Sequence, residues 1–282
     1  MVKLAFSPCP NDTFVFHAWT HGLIPGAPPA EVTYADIDVT NHAAERGEFD
    51  VVKVSYAALP WLLDRYTLLP TGGALGRGCG PLLLTRGGVG GIGGGGTENF
   101  GDTVGIDGRT VAVPSERSTA YLLFRLWAAG QRPERIDVVP FVDIMPAVRD
   151  GRYDAGLVIH EARFTYPDYG LASLVDLGQW WESDTGLPIP LGAILARRGL
   201  DAAALTDVVR ASVEHAWADP GASAAYIAEH AAEMSPDVQQ RHIALYVNEF
   251  TRELGEDGYA AIEALLGRAH AEGLTPSNPT LR

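Results

Sequence analysis

The sequence predicts an α/β fold divided into two lobes, with a ligand cleft between them. Three observations carry this expectation. Short apolar segments alternate with helical ones through the first third of the chain, the same alternation restarts after a glycine-rich interruption, and beyond Asp201 only helical periodicity remains. Repeated strand-then-helix order builds a parallel or mixed sheet, because a parallel connection needs a crossover that a helix supplies.

In chain order, VKLAFS opens as a strand, TFVFHAWTHG follows as a helix closing at Gly22, EVTYADID alternates as a strand should, and DVVKVS is a third strand running into YAALPWLLDRY. GPLLLTR, residues 80–86, reads as a buried strand, and GGVGGIGGGGTENFGDTVG after it reads as a flexible loop. The pattern resumes with RTVAVP as a strand, a helix from Ser118 through Ala129, IDVVPF as a strand, DIMPAVRDG as a short helix and YDAGLVIH as a strand. GLASLVDLG and GAILARR are further strand candidates. DAAALTDVVRASVEHAWAD, GASAAYIAEHAAEM, SPDVQQRHIALYVNEF and YAAIEALLGRAHAEG are the closing helices, and no repeat of solenoid length is present. GPLLLTR and GAILARR stand where a chain leaves one lobe and comes back to it. Lobe I is therefore expected over residues 1–82 and 196–282 and lobe II over 83–195, with the ligand between them.

Composition narrows the function. Of the 282 residues, 46% are hydrophobic and 20% charged, as in globular proteins, so wholesale disorder is not expected. The net charge of −14 argues against a nucleic-acid partner, which needs clustered Lys and Arg. An anionic ligand would then have to be held by local dipoles and a few donors. No stretch approaches the roughly 20 apolar residues that span a bilayer, so no membrane insertion is expected. Only Leu4, Ala5 and Phe6 stand between Lys3 and SPCP, against the about 7–15 apolar residues of a signal peptide, so a cytoplasmic location is expected and Cys9 is not expected to carry a lipid. Cys9 and Cys79, the two cysteines, form no disulfide framework.

In SPCPNDTF, residues 7–14, a strand ends at Ser7, and Pro8 and Pro10 prevent its continuation. Asn11, Asp12 and Thr13 all favour the N-cap position, so a helix is expected to begin there with free N–H groups that suit a carboxylate or phosphate. For this segment alone, simple capping is the plainer account. The arrangement recurs, however. Ser55 closes a strand and opens a helix, with Lys53 two residues earlier on the same side, and a strand ending at Pro114 is followed by a helix opening at Ser118 and Thr119. Three polar helix starts at the carboxyl ends of strands match the place where open α/β sheets bind ligands.

His160 follows the apolar strand GLVI, and its ordinary pKa of about 6.5 suits a general base at neutral pH. A histidine held by hydrogen bonds for structure is the plainer alternative. Glu161 points to the opposite face in a strand and is the weaker orienting partner. Arg77, within GGALGRGCGPL at 72–82, is a candidate anion clamp in a loop. The glycine run 87–96 lacks the Lys-Ser or Lys-Thr of a phosphate-binding loop and reads as a surface insertion. Cys9 with His160 would make a nucleophilic pair, although a buried cysteine is more often inert. His215, His230, His242 and His270 lack ligand spacing, and no metal site is expected.

Taken together, SPCPNDTF, KVSYAAL at 53–59, GGALGRGCGPL, STAY at 118–121, IHEARFTYPDYGL at 159–171 and LPIPLGAILARR at 187–198 closely resemble the MqnD family, the 1,4-dihydroxy-6-naphthoate synthases of the futalosine route to menaquinone. The match is collinear to about residue 200 and weaker beyond. It implies a two-lobed fold like the type 2 periplasmic binding proteins and a carbon–carbon lyase that needs no cofactor. The implied reaction converts cyclic dehypoxanthinyl futalosine, a small anionic substrate, to 1,4-dihydroxy-6-naphthoate and dihydroxyacetone. The resemblance also implies that His160 is the proton acceptor and that Lys53, Val54, Ser55, Ser118 and Thr119 contact substrate. The segment from about Gly87 to Gly105 departs from the family in length and glycine content. Two alternatives stand beside this reading: a solute-binding protein, against which the missing secretion signal argues, and the related chorismate dehydratase, which is expected to lack SPCPNDTF and the IHE histidine.

Overall fold

A computed structural model of the protein describes residues 1–87, 105–231 and 235–281. The chain divides into two compact units. Unit 1 comprises Met1–Cys79, Arg117–Thr119 and Thr185–Arg282, and unit 2 comprises Gly80–Glu116 and Ala120–Asp184.

Unit 1 contains β1 (Val2–Phe6), α1 (Pro10–Thr20), β2 (Ala30–Tyr34), α2 (Ile37–Arg46), β3 (Val51–Ser55), a 3-10 turn (Tyr56–Ala58) with α3 (Leu59–Leu62), and β4 (Tyr66–Gly76). Unit 2 contributes β5 (Leu82–Arg86), β6 (Thr110–Val113), most of α4 (Thr119–Trp127), β7 (Arg135–Val138), α5 (Phe141–Arg149), β8 (Ala155–Val158), α6 (Ala162–Thr165), β9 (Leu171–Asp176) and α7 (Leu177–Thr185). The chain re-enters unit 1 through β10 (Ile189–Arg197) and closes with α8 (Ala202–Ala218), α9 (Ala224–His230), α10 (Pro236–Tyr246), α11 (Glu249–Arg252) and α12 (Gly255–Ala271).

The two sheets share one plan. In unit 1 the order is β2-β1-β3-β10-β4, and in unit 2 it is β7-β6-β8-β5-β9. In each, three neighbouring strands are parallel and the remaining two join through antiparallel pairings. The unit 1 sheet is covered on both faces. Leu4, Phe6, Val51 and Ile194 pack with Phe16, Trp19 and Val209 in one cluster. Ala5, Val52, Val54 and Leu195 pack with Leu62, Ile262 and Leu266 in another. Because strand side chains alternate, Lys53 projects to the face that Val51 occupies, towards α1. In unit 2, Leu82, Leu84, Ala112 and Val158 pack against Ile144 and Val148 of α5, and Gly156 permits the approach, since a Cβ there would lie 2.6 Å from Ile144 Cγ2.

Several expectations need correction. EVTYADID is a strand only to Tyr34, and the next residues form α2, closed by Gly47 in the left-handed region. GGALG is not loop but the end of β4. Its glycines are there for close approach: a Cβ on Gly72 would meet Val209 Cγ1 at 2.6 Å and one on Gly73 would meet Gly192 O at 2.7 Å. The helix read across SPDVQQRHIALYVNEF breaks at Val247, because Asn248 forms a capping box with Thr251 and starts α11 anew. QWWESD lies in α7. The loop reading of the glycine run 87–96 falls outside the described residues from 88 onward. Among the described residues, no helix is long and apolar enough to cross a membrane.

Candidate active site

In unit 1, α1 begins at Pro10, ahead of the start expected at Asn11–Thr13. Pro10 occupies the first helical position, where its fixed φ suits the turn and its missing N–H costs nothing. Cys9 is the N-cap, and its side chain makes no cap hydrogen bond. The Asp12 and Thr13 N–H groups donate to Cys9 O at 3.1 and 3.0 Å, and Thr13 Oγ1 donates to the same carbonyl at 3.0 Å. Asn11, Asp12 and Thr13 thus form the first turn rather than the cap, and the pool of free N–H groups expected there is smaller.

Their side chains build a buried polar cluster instead. Asp12 Oδ2 accepts from Ser7 Oγ at 2.7 Å, and Oδ1 accepts from Asn11 Nδ2 at 2.7 Å and from the Lys53 ammonium. Lys53 is 5% exposed and Asp12 1%. Asp12 is its one hydrogen-bonding partner among the described residues, so two ammonium protons remain for a ligand. Gly192 on β10 makes room for the stem, because a Cβ at that position would stand 2.9 Å from Lys53 Cε.

Ser55 ends β3 without capping the following turn. Its N–H donates to Asn41 Oδ1 at 2.8 Å and its Oγ accepts from Asn41 Nδ2 at 3.2 Å, which leaves the hydroxyl proton available. Asn41 also donates to Arg117 O at 3.4 Å, tying β3 to the segment that precedes α4. There the Arg117 guanidinium lies 4.1 Å from the Trp61 ring centre and pairs with Glu45 at 3.2 Å. Thr119 Oγ1 accepts from the Ala57 N–H at 3.2 Å and donates to Leu191 O at 3.0 Å, so its hydroxyl joins the 3-10 turn to β10. Ser118 is buried beside it. The Val54 side chain is wholly buried in the core. Tyr56 is buried too, and burial, with a smaller contribution from Tyr259, pushes its phenol pKa up, keeping it neutral.

In unit 2, His160 follows β8 with φ +54, the one non-glycine positive φ among the described residues. Such a backbone costs about 1–2 kcal/mol and is typical of functional positions. The Phe141 ring stands nearly perpendicular to the imidazole at 6.0 Å. Three residues on, Arg163 donates to Gly80 O at 2.7 Å and to Asp176 Oδ2 at 2.5 Å, which anchors α6 to the segment before β5 and to the end of β9. Asp176 Oδ1 in turn accepts the Gly178 and Gln179 N–H groups at the start of α7.

The structure therefore joins Asn11, Asp12 and Lys53 directly, and links Ser55 through Asn41 to the segment before Ser118 and Thr119. Arg77 is exposed and donates to Gly186 O at 2.9 Å, which gives the expected clamp a structural contact. Ser7, Asn41 and His242 hydrogen-bond directly to these candidate side chains. Asn41 lies in the helix that the alternation of EVTYADID obscured, and His242 carries no local signal. No group of three His, Cys, Asp or Glu among the described residues is arranged to hold a metal ion.

Comparisons with known proteins agree with this architecture. A protein from Archaeoglobus fulgidus of known structure superimposes with a TM-score of 0.84 at 31% identity, covering 97% of this chain and 98% of that one. The periplasmic aliphatic sulphonate binding protein SsuA from Escherichia coli superimposes with a TM-score of 0.66 at 12% identity, covering 100% and 90%, so the fold is that of the periplasmic binding proteins. In sequence, the chain is 64% identical to a 1,4-dihydroxy-6-naphtoate synthase of Streptomyces coelicolor, over 98% of this chain and 95% of that one. A Thermus thermophilus protein of the same name is 44% identical over 99% and 97%. Residues 2–271 match the family described as menaquinone biosynthesis, and the chain belongs to that family.

Proposed function

We propose that this protein is a 1,4-dihydroxy-6-naphthoate synthase, converting cyclic dehypoxanthinyl futalosine to 1,4-dihydroxy-6-naphthoate and dihydroxyacetone in the cytoplasm without an added cofactor. The 64% identity to the Streptomyces coelicolor synthase over nearly the whole of both chains carries this reading. His160 acts as general base, Lys53 and Ser55 donate to the substrate with Ser118 beside them, and Val54 takes part through its backbone.

The chemistry suits these groups. A base removes a proton, the bond to the three-carbon fragment breaks in a retro-aldol sense, and its electron pair is taken up as an enolate that becomes part of the aromatic product. Such a step needs a base and fixed donors aimed at the developing oxyanion. The two uncommitted Lys53 protons and the Ser55 hydroxyl proton support a donor role that begins in the ground state, where they hold the anionic substrate, and continues into the transition state. Asn11, Asp12 and Thr13 act behind them. Lys53, paired with Asp12, serves as an ammonium donor rather than as an amine nucleophile.

The test is direct. Purified protein is incubated with the cyclic substrate alone, and the naphthoate and dihydroxyacetone are sought by mass spectrometry. Absence of both from folded protein overturns the assignment.

A further inference from the structure

The cluster around Asp12 does not end at the candidate site. Asn11 Oδ1 lies 2.9 Å from Nε2 of His242, a residue on α10 that is 0% exposed and whose ring packs 4.6 Å from Tyr246. Directions along this chain are forced by chemistry. The Asp12 carboxylate has only acceptors, so the Asn11 amide must turn its nitrogen to Asp12 and its oxygen to His242. His242 Nε2 must then carry a proton and donate it. The result is a directed relay of side chains from His242 through Asn11 to Asp12 and Lys53, whose most exposed member, Asn11, is only 6% exposed.

A buried ion pair is a poor means of stabilising a fold, since desolvation offsets most of the attraction. What the relay provides is placement. Asp12 receives three donors, from Ser7, Asn11 and Lys53, and shifting any one of them moves the carboxylate that the ammonium follows. The bond from α10 fixes the Asn11 rotamer from outside α1.

We propose that His242 is a positioning residue for the Lys53 ammonium, acting through Asn11 and Asp12. The functional part of this inference rests on Lys53 meeting the substrate; the structural part does not. The sequence makes the structural part measurable, because Lys3 and Lys53 are the only two lysines in the chain. Lysine labelled at Cε then gives two NMR signals, one buried and one reporting the amino-terminal strand.

The experiment has three arms on the full-length protein. Selective 15N-histidine labelling of wild type reads the His242 tautomer, assigned by its loss in a variant. His242→Met and His242→Gln are then compared for the Lys53 signal and for kcat and KM with the cyclic substrate. Expected are the Nε2–H tautomer, a displaced Lys53 signal with unchanged Lys3 in His242→Met, a KM raised at least about tenfold with kcat less affected, and recovery of both in His242→Gln, whose amide N–H replaces the lost donor. The Nδ1–H tautomer in wild type, or a Lys53 signal unmoved in His242→Met, overturns the proposal even if that variant is less stable. If wild type makes no naphthoate, the proposed function fails while the tautomer and the lysine signal still decide the relay.

Discussion

Asn41 grips Ser55 at both ends, accepting its N–H at 2.8 Å through Oδ1 and donating to its Oγ at 3.2 Å through Nδ2, while the same nitrogen reaches Arg117 O. One buried amide thus sets the end of β3 and the segment leading into α4. Asn41→Leu leaves the buried Ser55 N–H without an acceptor, a loss of about 1–3 kcal/mol. A lower melting temperature and a raised KM are expected. Asn41→Asp keeps the acceptor and should lose less. Wild-type melting and kinetics in Asn41→Leu would contradict the assigned role.

The left-handed backbone at His160 separates function from stability. His160→Ala should abolish turnover and leave ligand affinity within about tenfold. His160→Gly should be equally inactive yet more stable than His160→Ala by about 1 kcal/mol, because glycine adopts positive φ without a Cβ clash. Thermal unfolding of the two variants checks the difference. Near-normal turnover in either would remove His160 as the base.

Two glycines without positive φ should respond differently to a single added methyl group. At Gly192 the new Cβ would meet Lys53 Cε at 2.9 Å, and a flexible side chain gives way, so Gly192→Ala should raise KM with a modest effect on melting. At Gly178 it would meet Gly80 Cα at 2.7 Å and Gly80 N at 2.8 Å, which is backbone. Gly178→Ala should therefore cost about 1–3 kcal/mol. Equal melting temperatures for the two variants would refute the distinction.

His17 provides a pH test. Its pKa is held below the ordinary value by burial first and then by His21 and His215; the Tyr226 ring also faces it. The unfolded chain takes up a proton near pH 6.5, before the folded one does. The contribution of His17 is therefore complete above that pH and is lost as pH falls from there through the folded value. The melting temperature should hold above about pH 7 and drop as the pH falls below about 6.5, and His17→Gln should flatten part of that drop. An identical pH profile in His17→Gln would show that other groups carry it.

Much of the architecture was legible because it rests on local pattern. VKLAFS, DVVKVS, RTVAVP and GAILARR are apolar runs bounded by polar or proline residues, and they are strands because folding buries most of each run within a sheet. The errors fell where local signal and tertiary need diverged. Alternation through EVTYADID concealed the start of α2, and glycines in β4 resembled a loop although neighbouring atoms demand them. Ser55 was legible as a site candidate from its place after a strand. Asn41 was not, since its importance lies in a partner 14 residues away.

By itself the sequence determined the α/β class, the motifs that mark the family, and the residue types able to act as base and donors: His160, Lys53 and Ser55. Tertiary structure decided which of the polar residues near β1 and β3 are left to act. It turned Asp12 and Thr13 inward onto Lys53 and the helix backbone, used the Thr119 hydroxyl to tie two elements together, and brought His242 from 231 residues away to Asn11. The reason is that hydrogen-bonding capacity belongs to a residue type, whereas whether that capacity is already satisfied depends on which distant groups folding brings within about 3 Å.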